Sequence, residues 1–103
     1  MIQAEFLKKN NSLCGFDISG HSGYAESGSD IVCSAVSSAV QLTVNLLNDF
    51  GCEPEVSAEE NTVRCIVRKS EYAQFKILNQ LKKHIQSVSE EFPRTIRITI
   101  SEV

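Results

Sequence analysis

Two residues that can perform nucleophilic chemistry together flank a short segment rich in glycine and serine. His21 ends a strand-like run, and Cys33 opens a helix-like run twelve positions later. A neutral imidazole can accept the proton of a thiol near neutral pH, and the thiolate that results is a strong nucleophile. The spacing therefore indicates a base and a nucleophile joined by enough chain to fold back and meet.

The position of Cys33 favours a reactive thiol. Asp30 is a residue type that caps helices, which places Cys33 in the first helical turn. Amide N–H groups there lack helical partners and stabilise an anion, either a thiolate or a later oxyanion. The opposing interpretation is a small buried apolar side chain, as most unpaired cysteines are. The polar residues Ser34, Ser37 and Ser38 weigh against burial.

Asp30 and Ser37 each have a structural and a functional interpretation. Asp30 either caps the helix only or also orients His21 as the third member of a triad. Because an anion beside a thiol opposes its ionisation, a cap directed at backbone amides fits a reactive cysteine better. Ser37 lies one turn after Cys33, where it either contacts substrate or allows close packing.

Residues 20–30, between the histidine and the helix, are predicted to form a mobile loop. The segment holds three of the chain's five glycines and has no apolar periodicity. Gly20, at its start, is a candidate hinge. The segment contains neither GxGxxG nor GxxxxGK[ST], so its glycines do not indicate a phosphate-binding loop.

Length and composition restrict the classes of function. The 103 residues predict a single domain over 1–103, and the net charge of −3 argues against direct nucleic-acid binding. The four cysteines show no CxxC spacing, so neither a metal site nor a cofactor is expected. The start of the chain has no signal-peptide pattern, and polar residues interrupt its most apolar run. We therefore expect a cytoplasmic protein with reduced cysteines and no membrane partner.

Apolar periodicity predicts the element order β-β-α-β-β-α-β. Apolar steps of three and four residues indicate helices from Val32 to Phe50 and from Tyr72 to Phe92, and Cys14 and Cys65 share the alternation of apolar core positions. The alternating runs are 2–8, 13–19, a short one around Val56, 63–67 and 96–100. One apolar face on each element predicts an α+β two-layer sandwich, with an antiparallel or mixed sheet and both helices on one face. The nearest common architecture is a ferredoxin-like plait.

The pair Gly20-His21, followed by Asp30-Ile31-Val32-Cys33-Ser34-Ala35-Val36-Ser37, closely resembles the signature of the ribosomal-processing cysteine protease family, Prp. The resemblance extends over nearly the whole chain in its order of strands and helices. Ser22 and Ser34 stand where alanine is common in that family, and both differences are small.

The resemblance implies a specific activity. Members of the family are homodimers that remove the amino-terminal extension of a bacterial large-subunit ribosomal protein, the one numbered twenty-seven, by cleaving between a bulky aromatic and a small residue. It implies that Cys33 is the nucleophile and His21 the catalytic histidine, with Gly20, Asp30 and Ser37 in supporting roles. The loop between the pair is mobile in the family, so the two residues need not lie together without substrate.

These observations favour a cysteine endopeptidase with a Cys33–His21 dyad and a peptide substrate. The competing hypothesis is a non-catalytic, ribosome-associated interaction module in which Cys33 is inert. The rate of thiol alkylation distinguishes them, because a reactive Cys33 should label faster than Cys14 or Cys65.

Overall fold

The strands and helices follow one another in the predicted order. The structure, a computed structural model, describes residues 1–21, 30–68 and 72–103. Most of the predicted mobile loop, residues 22–29, lies outside these described residues. The elements are β1 (Ile2–Lys9), β2 (Ser12–Ser19), α1 (Ile31–Asp49), β3 (Pro54–Glu59), β4 (Thr62–Val67), α2 (Tyr72–Glu91) and β5 (Ile96–Glu102).

The strands form one mixed sheet in the order β3-β4-β2-β1-β5. β1 pairs antiparallel with β2 and parallel with β5, and the β2–β4 and β3–β4 pairs are antiparallel. Without β1, the elements run β-α-β-β-α-β, the ferredoxin-like sequence. The sheet is thus that of a ferredoxin-like plait with one additional strand. This strand, β1, lies between β2 and β5, which would otherwise be neighbours.

Both helices pack on one face of the sheet, which confirms the two-layer prediction. One buried cluster joins residues of both helices to a single face of the strands, with Phe6 and Phe16 at its centre. Among the described helices, only α1 is long and apolar enough by length and composition to cross a membrane. In this fold α1 is a core helix, and it buries Val32, Val36, Val40, Thr43 and Leu47.

A β-bulge makes one core prediction wrong. Leu7 pairs with Gly15, but the next residue of β1, Lys8, pairs with Leu13, so Cys14 has no partner across the ladder. The extra residue interrupts the alternation of β2. Cys14 is therefore half-buried and lies outside the core cluster, whereas Cys65 is fully buried within it.

The first turn of α2 differs from its apolar pattern. Tyr72 and Phe75 begin the predicted apolar stripe, but both are exposed, and Gln74 is buried in their place. The Gln74 side-chain amide donates a hydrogen bond to the backbone carbonyl of Leu13 at 2.6 Å. The Leu13 carbonyl lies beside the bulge, so the side chain of Gln74 supplies the hydrogen bond that a strand neighbour would otherwise donate.

Replacing Gly15 with alanine should destabilise the sheet. A Cβ at Gly15 would lie 2.2 Å from the carbonyl oxygen of Cys65, on the backbone of β4. Because backbone atoms cannot move aside as a flexible side chain can, we expect Gly15→Ala to lower the free energy of unfolding by about 1–3 kcal/mol. Urea denaturation measures the loss, with Ser57→Ala on exposed β3 as the control. Equal midpoints for the two variants would contradict this account of the close approach between β2 and β4.

Candidate active site

Asp30 begins α1, as its residue type predicts. Its backbone is extended (φ −77°, ψ 102°), and its Oδ1 accepts hydrogen bonds from the backbone N–H groups of Val32 at 3.0 Å and Cys33 at 3.1 Å. The backbone carbonyl of Asp30 accepts the first helical hydrogen bond, from Ser34, at 3.1 Å. Cys33 is consequently the third residue of α1, where the sequence predicts it.

The same carboxylate contacts the sulfur of Cys33. The thiol donates to Asp30 Oδ2, with 3.3 Å between Sγ and the oxygen. Asp30 is only 3% exposed, so water screens its charge poorly. The cap is therefore not directed at backbone amides alone. In this arrangement the carboxylate that caps the helix also holds the thiol proton of Cys33.

The cap also changes the expected source of an oxyanion site. The sequence pointed to the first-turn amides of α1 as oxyanion donors, but those of Val32 and Cys33 already bind Asp30 Oδ1. A carbonyl oxygen bound by either group would have to compete with that carboxylate. The hydroxyl of Ser37 is a further donor on this side of the site, since Ser37 is exposed and faces the same cavity as Cys33.

His21 lies immediately after β2, and the backbone before it is tightly held. The N–H of Gly20 donates to the carbonyl of Asn61 at 2.9 Å, which links the end of β2 to the turn between β3 and β4. Gly20 has a φ of +90°, and a Cβ there would lie 2.8 Å from the carbonyl oxygen of Met1. Both constraints explain why glycine precedes the histidine.

One cavity of about 320 Å³ brings the predicted residues together. Gly20, His21, Cys33 and Ser37 all line it, whereas Asp30 does not line it and contacts the sulfur of Cys33. Its apolar lining comes from Ile2, Ile18, Val36, Val40 and Val63. The arrangement presents a thiol, an imidazole and a hydroxyl around an apolar floor, which suits an acyl-transfer reaction on a substrate with an apolar side chain.

The β3–β4 hairpin contributes a part of this cavity that sequence reasoning missed. Glu59, Asn61 and Thr62 line it beside the polar end of β2. They reach it because β4 pairs with β2, with Thr62 opposite Ser19. None of the three belongs to a catalytic pattern in the sequence. The positive φ of Asn61, 61°, marks the turn but not its proximity to the histidine.

The environments of Cys14 and Cys65 raise the pKa of both thiols. Burial raises the pKa of Cys65 from 9.0 to about 11. Burial also raises the pKa of Cys14, against the opposing effect of the nearby Lys9 ammonium. A thiol with a raised pKa is less ionised at any pH below that value, so both are poor nucleophiles in the folded chain. Within the described ranges, no three or more His, Cys, Asp or Glu side chains are grouped to hold a metal ion.

Known structures share this fold across almost the entire chain. An essential ribosomal processing protease Prp from S. aureus, in complex with a covalently linked product peptide, superimposes with a TM-score of 0.90 at 21% identity, covering 98% of this chain and 100% of that one. The S. aureus protease in complex with a substrate peptide superimposes with a TM-score of 0.81 at 18% identity, again covering 98% of this chain and 100% of that one. SMU.848 from Streptococcus mutans superimposes with a TM-score of 0.84 at 27% identity, covering 100% of this chain and 96% of that one.

Sequence comparison gives the family directly. No curated protein sequence matches the chain. The family model described as cysteine protease Prp matches residues 1–97, the range that contains every residue of the cavity, and the chain therefore belongs to the Prp cysteine protease family.

Proposed function

We propose that this protein is the cysteine endopeptidase that removes the amino-terminal extension of the bacterial large-subunit ribosomal protein numbered twenty-seven. Cys33 is the nucleophile and His21 the general base. The observation that carries the proposal is the shared cavity, which both side chains line in a member of a cysteine protease family. The S. aureus member is a ribosomal processing protease that binds a substrate peptide, which supports the same class of substrate here.

The reaction begins with a change of partner for the thiol proton. In the resting state the Cys33 thiol donates to Asp30. When substrate is bound, His21 takes the proton and Sγ attacks the scissile carbonyl carbon. The amine leaves with the proton that His21 returns, and a thioester remains on Cys33. Water, deprotonated by His21, then hydrolyses the thioester and regenerates the thiol.

This order gives Asp30 a restraining role. A free thiolate in the resting enzyme would attack unintended electrophiles, and the hydrogen bond to the buried carboxylate keeps the thiol proton in place. The predicted mobile loop over 20–30 complements the restraint, because it would deliver His21 only when peptide is present. Gly20, held to Asn61, is the fixed end of that loop.

The floor of the cavity supports a bulky apolar residue before the scissile bond. Ile2, Ile18 and Val63 rise from three adjacent strands, and Val36 and Val40 face them from α1. An aromatic ring buried there would leave water and contact these side chains, which would favour binding by about 1.5–3 kcal/mol of free energy. Ser37 supplies a hydroxyl to a polar backbone group of the same substrate segment.

One observation favours the competing function, a non-catalytic ribosome-associated module. The contact between Cys33 and Asp30 is also what an inert, protonated thiol would make. The two functions differ in whether Cys33 reacts when a peptide enters the cavity, so both can be tested with the same variants.

We further infer that the protein is a cytoplasmic homodimer that associates through the outer face of its helices. A groove of about 640 Å³ runs between α1 and α2, and its apolar lining includes Ala39, Leu42, Leu46 and Ile77. Leu42 is 59% exposed, and α1 carries no charged side chain before Asp49. A second copy of this face would remove Leu42 from water on both sides of a symmetric interface.

Substitution of either member of the dyad should abolish processing. We expect Cys33→Ala and His21→Gln to leave the extended ribosomal protein intact. The first variant lacks the nucleophile, and the second lacks the base that accepts its proton. Mass spectrometry of the new amino terminus measures the product. Cys14→Ser is the matched control, since Cys14 is a second unpaired cysteine that lies outside the cavity. Processing by Cys33→Ala would refute the mechanism.

Removing the charge of Asp30 should increase the reactivity of the Cys33 thiol. Asn caps helices as Asp does, so Asp30→Asn keeps the start of α1 but removes the anion beside Sγ. We expect iodoacetamide to alkylate Cys33 about three- to tenfold faster at pH 7 in this variant. Cys65, with a pKa of about 11, serves as the internal control and should stay unlabelled. Equal rates of Cys33 alkylation in Asp30→Asn and in the wild type would contradict this role of Asp30.

A charge in the helix groove should separate the dimer. Light scattering should give about twice the 11.4 kDa chain mass for the wild type and the single-chain mass for Leu42→Glu, because the interface would bury two unpaired carboxylates. Val103→Glu, at a terminal residue of similar exposure, is the control and should remain dimeric. A monomeric wild type, or a dimeric Leu42→Glu, would rule out this interface.

A further inference from the structure

The floor of the cavity continues beyond the part of the sheet that the helices cover. Residues opposite one another in neighbouring strands share a face of the sheet, so their side chains form rows across it. Ile18 of β2 lies opposite Val63 of β4, and Val63 lies opposite Ala58 of β3. Ile18 and Val63 line the cavity. Ala58 therefore extends this row of the floor by one strand, on the face that carries the helices.

The helix layer ends before it reaches β3. In the next row, Cys65 of β4 is fully buried, but its neighbour on β3, Val56, is 44% exposed. Ala58 is exposed as well. Two apolar side chains, those of Val56 and Ala58, thus lie uncovered beside the cavity, on the same face of the sheet as α1.

The backbone of the same two residues points to the outer edge of the sheet. Among the residues that the structure describes, no strand pairs with that edge of β3. The N–H of Arg68 donates to the carbonyl of Glu53 at 3.4 Å, so these two residues form a hydrogen-bonded pair just before β3. Such pairs alternate along an antiparallel ladder with pairs whose N–H and C=O groups point away from it. By this alternation, Val56 and Ala58 direct both groups to the outer edge.

Two further observations support this assignment. The N–H of Gly20 donates to the carbonyl of Asn61 at 2.9 Å, which fixes the β4 residues that bond to β2 and leaves the alternate ones for β3. The alternation that results on β3 is the same. Pro54 belongs to the same set as Ala58, and proline is tolerated in a strand where its missing N–H would point away from the ladder.

An extended peptide can occupy the cavity and the outer edge of β3 together. A strand added to β3 would lie two strand spacings from Val63, a distance of about 10 Å. An extended chain advances about 3.3 Å per residue, so it crosses this distance in about three residues. A side chain on the cavity floor and a backbone segment on the edge therefore belong to one short stretch of substrate.

From these observations we propose that the outer edge of β3 binds an extended segment of the substrate as a sixth strand of the sheet. The N–H and C=O groups of Val56 and Ala58 pair with the peptide backbone, and their side chains contact apolar side chains at alternate peptide positions. The occupant is the peptide because this edge is continuous with the cavity, whereas the other outer strand, β5, does not line it. The inference rests on the proposed endopeptidase function and adds a second binding surface to it.

A scan of the substrate backbone tests the proposal without changing the protein. In peptides that span the cleavage site of the precursor, one amide at a time, outside the scissile bond, is replaced by an ester, which removes one N–H donor. On one side of the scissile bond, about three or more residues from it, we expect kcat/KM to fall about three- to tenfold at alternate positions and to change little between them. A response without this period of two would overturn the assignment.

Val56→Pro tests the edge from the side of the protein. Proline removes an N–H that points to the outer edge and fills the space beside it, without breaking a bond to β4. We expect the ratio of kcat/KM between the full peptide and one truncated before the edge to fall about tenfold. Val56→Thr is the matched control, because it keeps the N–H and a β-branched side chain, and it should retain the period of two. An unchanged ratio in Val56→Pro, or an equal loss in Val56→Thr, would contradict the proposal.

Peptide binding to Cys33→Ala separates this inference from the proposed catalysis. Binding that weakens with a period of two, without cleavage by the wild type, would support the edge and refute the endopeptidase. Cleavage by the wild type that is equal for all the esters would refute the edge alone. Light scattering that shows a smaller assembly for Val56→Pro than for the wild type would instead assign the edge to a second copy of this chain.

Discussion

One buried carboxylate governs both the start of α1 and the state of the candidate nucleophile. A carboxylate as enclosed as that of Asp30 must have hydrogen-bond donors, since an unpaired buried charge costs several kcal/mol. It finds them in the amides of Val32 and Cys33 and in the Cys33 thiol. One oxygen of the carboxylate caps the helix, and the other holds the sulfur. The same side chain thus links the start of α1 to the position of the thiol.

The rest of the cavity depends on how the sheet is ordered. β2 ends at the site and β4 begins there, because the two strands run antiparallel side by side. This pairing brings the β3–β4 hairpin to the residue before His21 and supplies the wall that faces α1. The catalytic motif occupies one short stretch of sequence, but the surface that would hold a peptide comes from four strands and a helix.

The sequence predicted the parts of this structure that depend on local chemistry. The periodicities gave the order of elements, and the type of Asp30 gave the start of α1. The failures involve long-range packing. Cys14 follows the alternation of a regular strand, and only pairing with β1 shows the bulge that removes it from the core. Gln74 is buried because its side-chain amide binds the backbone carbonyl of Leu13 on β2. The apolar pattern of a helix cannot predict such a contact. The hairpin wall is likewise absent from any motif, because β4 lies next to β2 only in the folded sheet.

The additional strand of the plait has a consequence for how the protein forms. β1 lies between β2 and β5, so the first strand of the sheet in chain order pairs with the last, with Ile2 opposite Ile96. Contacts this distant in sequence form slowly, because a long loop must close before they are made. Ile2 is also part of the cavity floor. The floor of the cavity therefore reaches its final form only when β5 has paired with β1, so its assembly depends on one of the most distant contacts of the fold.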